Sequence, residues 1–198
     1  MDYNVLENFE RELCNYTGAP YAVPVDCCTH AIELCMRHQG VSGVVTMPKH
    51  TYVSALMVLH KLGLTVEFTD ETWIYEYQYG NTNIWDSARG LQEQMYRPGQ
   101  MQCLSFGHTK RLEIGHGGAV LLDNYDDYVA IKRLAYDGRD LNIKPWQNQT
   151  SWKIGYHYNM RLGDAAKGKH MLESRQLDSL ENQTSYKYPD VSLLNIEV

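Results

Sequence analysis

The sequence predicts an α/β fold with a mostly parallel central sheet flanked by helices. Over the first 70 residues, short apolar runs alternate with segments whose apolar residues recur at helical spacing. The apolar runs are almost uninterrupted, which indicates strands buried on both faces, as in parallel sheets covered by crossover helices. The length of 198 residues suits one domain with a core of its own.

The first half of the chain alternates strands and helices regularly. Leu6, Phe9 and Leu13 recur at helical spacing, and the following Gly18 is expected to end that helix. Pro48 closes an apolar run and Gly63 closes a helical one in the same manner. Strands are expected at 21–25, 44–47 and 64–69, and helices at 3–16, 31–38 and 52–62.

The second half is less regular. Aromatic and polar residues over 73–79 precede a turn, and residues 137–152 are predicted to form a long loop. Further strands are expected at 83–85, 101–106 and 119–122, and further helices at 126–135 and 162–180. We expect residues 1–180 to form a single domain and residues 181–198 to be a partly ordered C-terminal tail.

Charge and composition exclude several classes of protein. The chain has 18 basic and 24 acidic side chains, a net charge of −6 and a pI near 5.7, whereas nucleic-acid-binding proteins usually carry a basic excess. No apolar run approaches the roughly 20 residues that span a bilayer, and the acidic N-terminus does not resemble a signal or transit peptide. We therefore expect a cytoplasmic protein that binds neither nucleic acid nor membranes.

The five cysteines indicate neither disulfides nor a metal site. They include no Cys-x-x-Cys pair, and the eight histidines include no His-Glu-x-x-His motif. Adjacent cysteines such as Cys27 and Cys28 rarely chelate one ion, so we expect structural thiols and assign no metal ligand.

A loop rich in histidine, lysine and glycine follows the predicted strand 101–106. It contains Lys110, five residues after Ser105 and shortly before the Gly-x-Gly-Gly stretch 115–118. A lysine placed between two apolar strands is a candidate for an amine held out of bulk water, which forms a Schiff base with an aldehyde cofactor. The alternative is a solvated basic loop, and the loop by itself leaves both interpretations open.

Two further features lie at the ends of predicted strands. Asp86 ends a short strand, where a carboxylate faces the crevice that binds ligands and can hold a ring nitrogen in its protonated form. The turn from Asp26 to Thr29 leads into a helix, whose free N–H groups suit a phosphate. Taken singly, Asp86 could equally be a turn or cap residue, and strand-to-helix turns are common.

Together these stretches resemble the DegT/DnrJ/EryC1/StrS family of pyridoxal-phosphate (PLP) sugar aminotransferases. The resemblance extends from residue 9 to about residue 180 in the order of the family, and the Ser105–Lys110 spacing and the Gly-x-Gly-Gly stretch are its most specific parts. The other matching stretches are Phe9-Glu10 with Tyr16-Thr17-Gly18-Ala19-Pro20-Tyr21-Ala22-Val23, Cys27-Cys28-Thr29-His30-Ala31-Ile32, Pro48-Lys49-His50-Thr51-Tyr52, Leu64 to Asp70, Trp85-Asp86-Ser87-Ala88-Arg89, and Gly155-Tyr156-His157-Tyr158-Asn159-Met160-Arg161 with Ala165-Ala166.

The resemblance implies PLP as cofactor and the aspartate-aminotransferase-like fold known as PLP fold type I. It implies that Lys110 forms the Schiff base and later acts as general base, and that Asp86 pairs with the pyridinium nitrogen. Tyr52 would stack on the pyridine ring.

The phosphate of PLP would be held at the start of the second predicted helix. The resemblance assigns this role to the N–H groups around Cys28 and Thr29 and to the hydroxyls of Thr29 and Ser105. Asn159 would reach the phosphate from a second subunit, because the active site of this family lies at a dimer interface. We therefore expect an obligate homodimer with shared active sites.

The sequence departs from the family pattern in three residues and in length. Cys28 stands where the phosphate turn has glycine, Arg89 where the family has glutamine or histidine, and His116 where it has glutamate. Arg89 is expected to lie near the cofactor or to bind a substrate anion. The chain has roughly half the family length and no matching C-terminal small domain, so we expect a truncated large domain.

The predicted function is that of a PLP-dependent aminotransferase. It would transfer an amino group from an amino acid, with glutamate as the expected donor, to a nucleotide-linked keto sugar. Two alternatives stay open: a PLP-binding protein without transaminase activity, and another PLP reaction, such as racemisation or decarboxylation, on a free amino acid.

Overall fold

Strands and helices alternate over the first part of the chain, as the sequence predicts. The computed structural model describes residues 4–179 and 184–196. The α-helices in these ranges are α1 (Asn4–Thr17), α2 (Cys28–His38), α3 (Val53–Lys61), α4 (Tyr125–Ala135) and α5 (Leu162–Glu173). The strands are β1 (Tyr21–Val25), β2 (Val44–Pro48), β3 (Thr65–Thr69), β4 (Tyr77–Gln78), β5 (Ile84–Asp86), β6 (Met101–Ser105) and β7 (Gly118–Leu122).

The central sheet is mixed, which corrects the prediction of a mostly parallel sheet. Its strand order is β1-β7-β6-β5-β4, with β5 and β6 parallel, β7 antiparallel to both of its neighbours, and β4 antiparallel to β5. The parallel pair β2–β3 lies beside β4, where the Gly80 N–H donates to the Thr46 carbonyl at 2.9 Å. A continuous apolar run indicates that a strand is buried on both faces, but it does not indicate the direction of that strand. Loops rather than crossover helices join β4 to β5 and β6 to β7, and such connections allow antiparallel neighbours.

Helices cover the sheet and enclose an apolar core. α2 packs on β5, β6 and β7, α4 packs on β1, and α1 lies between β1 and α5. At the contact of α1 with α5, a Cβ on Gly168 would lie 2.7 Å from the Phe9 ring, so only glycine allows this approach. Phe9 in turn meets Phe106 edge to face, with 5.7 Å between the ring centroids.

Two boundaries differ from the sequence prediction. α2 begins at Cys28 and not at residue 31, because Cys27 acts as its N-cap. α5 ends at Glu173, well before residue 180, since Arg175 adopts a left-handed backbone conformation with φ of 54°. Residue 180 itself lies outside the described residues.

The C-terminal segment 184–196 returns to the body of the protein. The Val191 N–H donates to the Lys49 carbonyl at 2.8 Å, and the Ser185 N–H donates to the Trp73 carbonyl at 3.0 Å. Residues 181–183 and 197–198 of the predicted tail lie outside the described residues. Within the described ranges, no helix combines the length and apolar character that crossing a bilayer requires.

Candidate active site

A pocket of about 500 Å³ lies where β5 and β6 end and α2 begins. Because β5 and β6 are parallel, their last residues Asp86 and Ser105 lie at the same edge of the sheet. The volume is within the range of small-molecule sites. The predicted site residues that line this pocket are Cys28, Thr29, Tyr52, Asp86, Arg89, Ser105 and Lys110.

Lys110 enters the pocket from the loop that follows β6. The preceding Thr109 has a φ of 65°, and the Lys110 N–H donates to the Gly107 carbonyl at 3.2 Å, so the loop turns sharply at this point. Burial lowers the pKa of the Lys110 amine, and the charge of Arg89 lowers it further, against the opposing effect of Asp86. A larger fraction of this amine is therefore neutral, which is the form that attacks an aldehyde.

Asp86 is a buried carboxylate with several donors around it. Its Oδ1 accepts from the Ala88 N–H at 3.1 Å, and its Oδ2 accepts from the Tyr77 hydroxyl at 3.1 Å. Burial raises the pKa of the Asp86 carboxyl, while these donors and the Lys110 charge oppose that rise. A carboxylate held in this way can accept a hydrogen bond from a protonated ring nitrogen.

The start of α2 forms one wall of the pocket. The Cys27 thiol caps the helix by accepting from the His30 N–H at 3.4 Å, and the Thr29 and Ser54 hydroxyls are 2.8 Å apart. The first-turn N–H groups of a helix have no partner within the helix and favour anions. Cys28, which replaces the expected glycine, is buried and donates from its thiol to the Cys103 carbonyl, 3.4 Å away.

The Gly-x-Gly-Gly stretch holds β7 against this helix start. A Cβ on Gly118 would lie 2.6 Å from the backbone carbon of Cys27 and 2.6 Å from the backbone nitrogen of Cys28. Gly117 has a φ of 142°, a conformation that L residues with side chains rarely adopt. Gly118 is therefore required by close backbone approach, and Gly117 by its backbone conformation.

Asp26, Cys27 and His30 form a cluster at the rim of the same helix. Their ligand atoms lie within 4.8 Å of one another. His30 Nδ1 is 2.7 Å from Asp26 Oδ1, and this hydrogen bond raises the pKa of His30 to about 9, with the Cys27 hydrogen bond adding to the rise. The raised pKa of His30 corresponds to an ion pair of its imidazolium with the Asp26 carboxylate at the helix start.

Arg89 connects the pocket to the C-terminal segment. Its Nε donates to the Tyr188 hydroxyl at 2.9 Å, and its Nη1 donates to the Thr109 carbonyl. Tyr188 lines the pocket as well, and its ring centroid lies 5.4 Å from that of Trp73. Nothing in the local sequence indicates Tyr188, which stands 99 residues after Arg89 and meets it only through the fold.

Sequence reasoning also missed the aromatic residues before β5. Trp73, Tyr75 and Tyr77 line the pocket, and Tyr79 lies behind it. Aromatic residues at 73, 75, 77 and 79 repeat with the period of a strand, which was the available indication that they share one face.

Asn159 does not line the pocket of its own chain. It forms an antiparallel bridge with Val25 at the end of β1, and its Oδ1 is buried without a hydrogen-bond partner among the described residues. The predicted phosphate contact of Asn159 is thus not made within one subunit.

Comparison with protein families gives a match over most of the chain. The model of the DegT/DnrJ/EryC1/StrS aminotransferase family matches residues 1–75 and 86–194. A comparison with curated protein sequences gave no significant match.

Solved structures share the fold. AtS13 from Actinomadura melliaura has a TM-score of 0.74 at 18% identity, over 89% of this chain and 61% of its own. NtdA from Bacillus subtilis with bound cofactor PMP has a TM-score of 0.71 at 17% identity, over 85% and 48%. DesI in the presence of its TDP-sugar product has a TM-score of 0.68 at 19% identity, over 86% and 53%. The chain therefore spans about half the length of structures with which it shares the PLP fold type I architecture.

Proposed function

The chain belongs to the DegT/DnrJ/EryC1/StrS aminotransferase family, and we propose that it is a PLP-dependent aminotransferase. The observation that carries this proposal is that Lys110, with a lowered pKa, and the buried Asp86 line one pocket from neighbouring strand ends. A lysine and an aspartate in this relation are the two side chains that PLP chemistry requires.

The side chains of the pocket fit PLP group by group. The Lys110 amine suits the aldehyde, the Asp86 carboxylate suits the ring nitrogen, and the start of α2 with Thr29 suits the phosphate. Tyr52 offers a ring that is 62% exposed and lines the pocket, where it can cover one face of the pyridine. When bound, PLP supplies an electron sink for moving an amino group.

Each side chain then has a defined task. Lys110 would bind the aldehyde of PLP and would afterwards take and return a proton at the substrate carbon, which its lowered pKa favours. Asp86 would keep the ring nitrogen protonated. Ser105, at the end of β6, would hold the phosphate together with Thr29, since both side chains line the pocket.

We propose a nucleotide-linked keto sugar as amino acceptor and an amino acid, with glutamate expected, as donor. Two observations support these substrates: the shared fold with DesI, whose structure holds a TDP-sugar product, and the cation of Arg89 in the pocket. A guanidinium pairs with the carboxylate of an amino acid or with a phosphate through two parallel hydrogen bonds.

We propose a homodimer with shared sites as the active form. Asn159 lies outside the pocket of its own chain, which supports a contact with the phosphate in the partner subunit. We further propose that residues 1–180 form one PLP-binding domain and residues 181–198 a C-terminal tail, and that the protein acts in the cytoplasm. The free thiols of all five cysteines support the last point.

The proposal is tested by trapping the cofactor. Incubation with PLP and reduction with borohydride should place a phosphopyridoxyl group on Lys110, as located by mass spectrometry. Lys110→Ala should lose the label, whereas Lys169→Ala, a surface variant on α5, should keep it. A protein that takes up no label would refute the proposal. Amino transfer from glutamate to a TDP-linked keto sugar then tests the activity. A labelled protein that transfers no amino group would favour the alternative of a PLP-binding protein without transaminase activity.

A further inference from the structure

Two buried tyrosines lie directly behind the carboxylate of the pocket. Tyr77 on β4 is the cross-strand partner of Asp86 on β5, and Tyr79 follows two residues later on the same face. Their side chains are 2% and 0% exposed. Both hydroxyls reach the same atom, with Tyr77 Oη 3.1 Å and Tyr79 Oη 3.5 Å from Asp86 Oδ2.

The hydrogen bonds form a chain in which Tyr77 is the main donor. A tyrosine has one hydroxyl proton, and Tyr77 gives it to Asp86. Tyr77 Oη also lies 2.9 Å from Thr51 Oγ1 and can accept from it while it donates to the carboxylate. Tyr79 Oη is 3.2 Å from Tyr77 Oη, and its single proton goes either to Tyr77 or to Asp86 Oδ2. Thr51 directly precedes Tyr52 in the sequence, so this chain of hydrogen bonds is connected to the aromatic side chain that lines the pocket.

The two tyrosines lie outside the part of the chain that matches the family, whereas Thr51 and Asp86 lie within it. The two matched segments end at residue 75 and resume at residue 86, so Tyr77 and Tyr79 fall in the unmatched interval. A phenylalanine would preserve the packing of either ring and remove only the hydroxyl. A buried hydroxyl that donates to a buried carboxylate calls for an electrostatic explanation.

We propose that Tyr77, assisted by Tyr79 and Thr51, keeps Asp86 ionised in its buried position and thereby keeps the ring nitrogen of the cofactor protonated. Tyr77 is a positioning residue in this inference, which rests on the proposed function. It acts on the cofactor only through Asp86.

The physical reason is the cost of a buried charge. Burial favours the neutral carboxylic acid, which would hold the proton on Asp86 and leave the ring nitrogen neutral. Each hydroxyl that donates to the carboxylate stabilises the ionised form instead. With the Tyr77 donor in place, the shared proton is favoured on the nitrogen, where it makes the ring an electron sink.

The other groups that face Asp86 come from α2, β6 and the Lys110 loop. Burial raises the pKa of the Cys28 and Cys103 thiols well above their ordinary values, so both are neutral and contribute little charge. Lys110 supports the ionised carboxylate when protonated. That support is lost whenever the Lys110 amine is deprotonated, which its lowered pKa favours, whereas the Tyr77 hydroxyl remains.

The first test needs no cofactor. In the protein with ¹³C-labelled aspartate, the Asp86 carboxyl signal is assigned with Asp86→Asn, and its pKa is measured in wild type and variants. Loss of one hydrogen bond to a charged group should raise the pKa of Asp86 by about one pH unit in Tyr77→Phe, and by less in Tyr79→Phe. Tyr128→Phe is the matched control, because Tyr128 also donates to a buried carboxylate, that of Glu10 at 2.8 Å, but outside the pocket.

An unchanged pKa of Asp86 in Tyr77→Phe would overturn the inference. So would a rise in the pKa of Asp86 that is as large in Tyr128→Phe as in Tyr77→Phe. Should Tyr77→Phe fail to fold, Thr51→Val and Tyr79→Phe weaken the same chain and must show a smaller rise in the same direction.

The second test uses PLP labelled with ¹⁵N in the ring. Wild type should give the signal of a protonated nitrogen, and Tyr77→Phe should move it toward the unprotonated position while Lys110 is still labelled after reduction. If wild type takes no PLP, the proposed function fails, and the carboxyl measurement still decides the role of Tyr77. If PLP binds and the signal is the same in both proteins, the proposed function survives and the inference fails.

Discussion

The reactivity of Lys110 depends on the charges around its amine. Burial and the Arg89 guanidinium both favour the neutral amine, and Asp86 favours the ammonium. Arg89 departs from the glutamine or histidine that the family resemblance leads us to expect, and it places a permanent cation at this position. The cation makes the lysine a better nucleophile near neutral pH, in addition to any role in binding a substrate anion.

We expect Arg89→Gln to change the reactivity of Lys110. Removal of the cation stabilises the ammonium form of Lys110, so the pH midpoint for its reaction with PLP should move upward, by roughly half a pH unit for a partly screened charge. The midpoint is measured as the rate of label incorporation between pH 6 and 10. Arg11→Gln, on the exposed side of α1, serves as control, and a midpoint that is unchanged or lower in Arg89→Gln would contradict the role given to Arg89.

At the scale of elements, the start of α2 is the most constrained part of the site. It is fixed from one side by the close approach of Gly118 and from the other by the ion pair of Asp26 with His30. Both contacts hold the same few backbone N–H groups at the start of α2. A single substitution can disrupt either contact.

The first substitution is Gly118→Ala. Its Cβ would lie 2.6 Å from the backbone of the α2 start and 2.7 Å from the Leu104 carbonyl, and these backbone atoms cannot move independently. We expect a loss of about 1 to 3 kcal/mol in the free energy of unfolding and weaker PLP binding. Gly163→Ala in α5 is the matched control, because nothing lies within 4 Å of its Cβ position. If the two variants have the same free energy of unfolding in urea, the close approach at Gly118 does not limit the stability of the protein.

The second substitution, His30→Asn, tests how the free energy of unfolding depends on pH. The pKa of His30 is raised to about 9 in the folded protein, above the ordinary value of 6.5. The folded state therefore holds this proton more tightly, so the ion pair stabilises fully below pH 6.5 and its contribution is lost as the pH rises through about 9. A cation in the first turn opposes the helix dipole, which reduces the expected contribution to about 1 kcal/mol.

Urea unfolding of wild type and His30→Asn at pH 6, 7.5 and 9.5 measures this contribution. The difference in free energy of unfolding between the two proteins should shrink toward the highest pH. A constant difference would mean that the proton on His30 does not stabilise the helix start.

The elements differ in how far the sequence predicts them. The Ser105–Lys110 spacing, Asp86 and the turn at Cys28 were identifiable because each is a local pattern at a strand end, and the structure brings them into one pocket. Strand direction was not predictable, since β7 and β1 are buried like parallel strands but run antiparallel. Tyr188 reaches the pocket only through long-range packing, so no local pattern could reveal it.

At the scale of the whole molecule, the C-terminal segment of the described chain completes the pocket. The segment 184–196 places Tyr188 against Arg89 and Trp73. In a chain that spans about half the length of its structural relatives, this segment covers part of the pocket edge. A single chain nevertheless leaves the Tyr52 ring 62% exposed and Asn159 outside the pocket.

These two features together predict how the site is assembled. If Asn159 serves the pocket of the partner subunit, each active site needs Lys110 from one chain and Asn159 from the other. Light scattering should then give twice the chain mass of 22.8 kDa, and both Lys110→Ala and Asn159→Ala homodimers should be impaired. A monomer that still binds PLP would contradict the shared site at once.

Mixing the two impaired proteins distinguishes a shared site from a site within one chain. A hybrid dimer has one site with both defects and one site with neither, because the intact Lys110 and the intact Asn159 come from opposite chains. With equal amounts and free exchange, half of the dimers are hybrids, so activity should recover to about one quarter of the wild-type value. If both residues instead served the pocket of their own chain, every site in the mixture would carry one defect and no recovery would follow. Native mass spectrometry of differently tagged subunits shows whether exchange has occurred, so a lack of recovery with proven hybrids refutes the shared site.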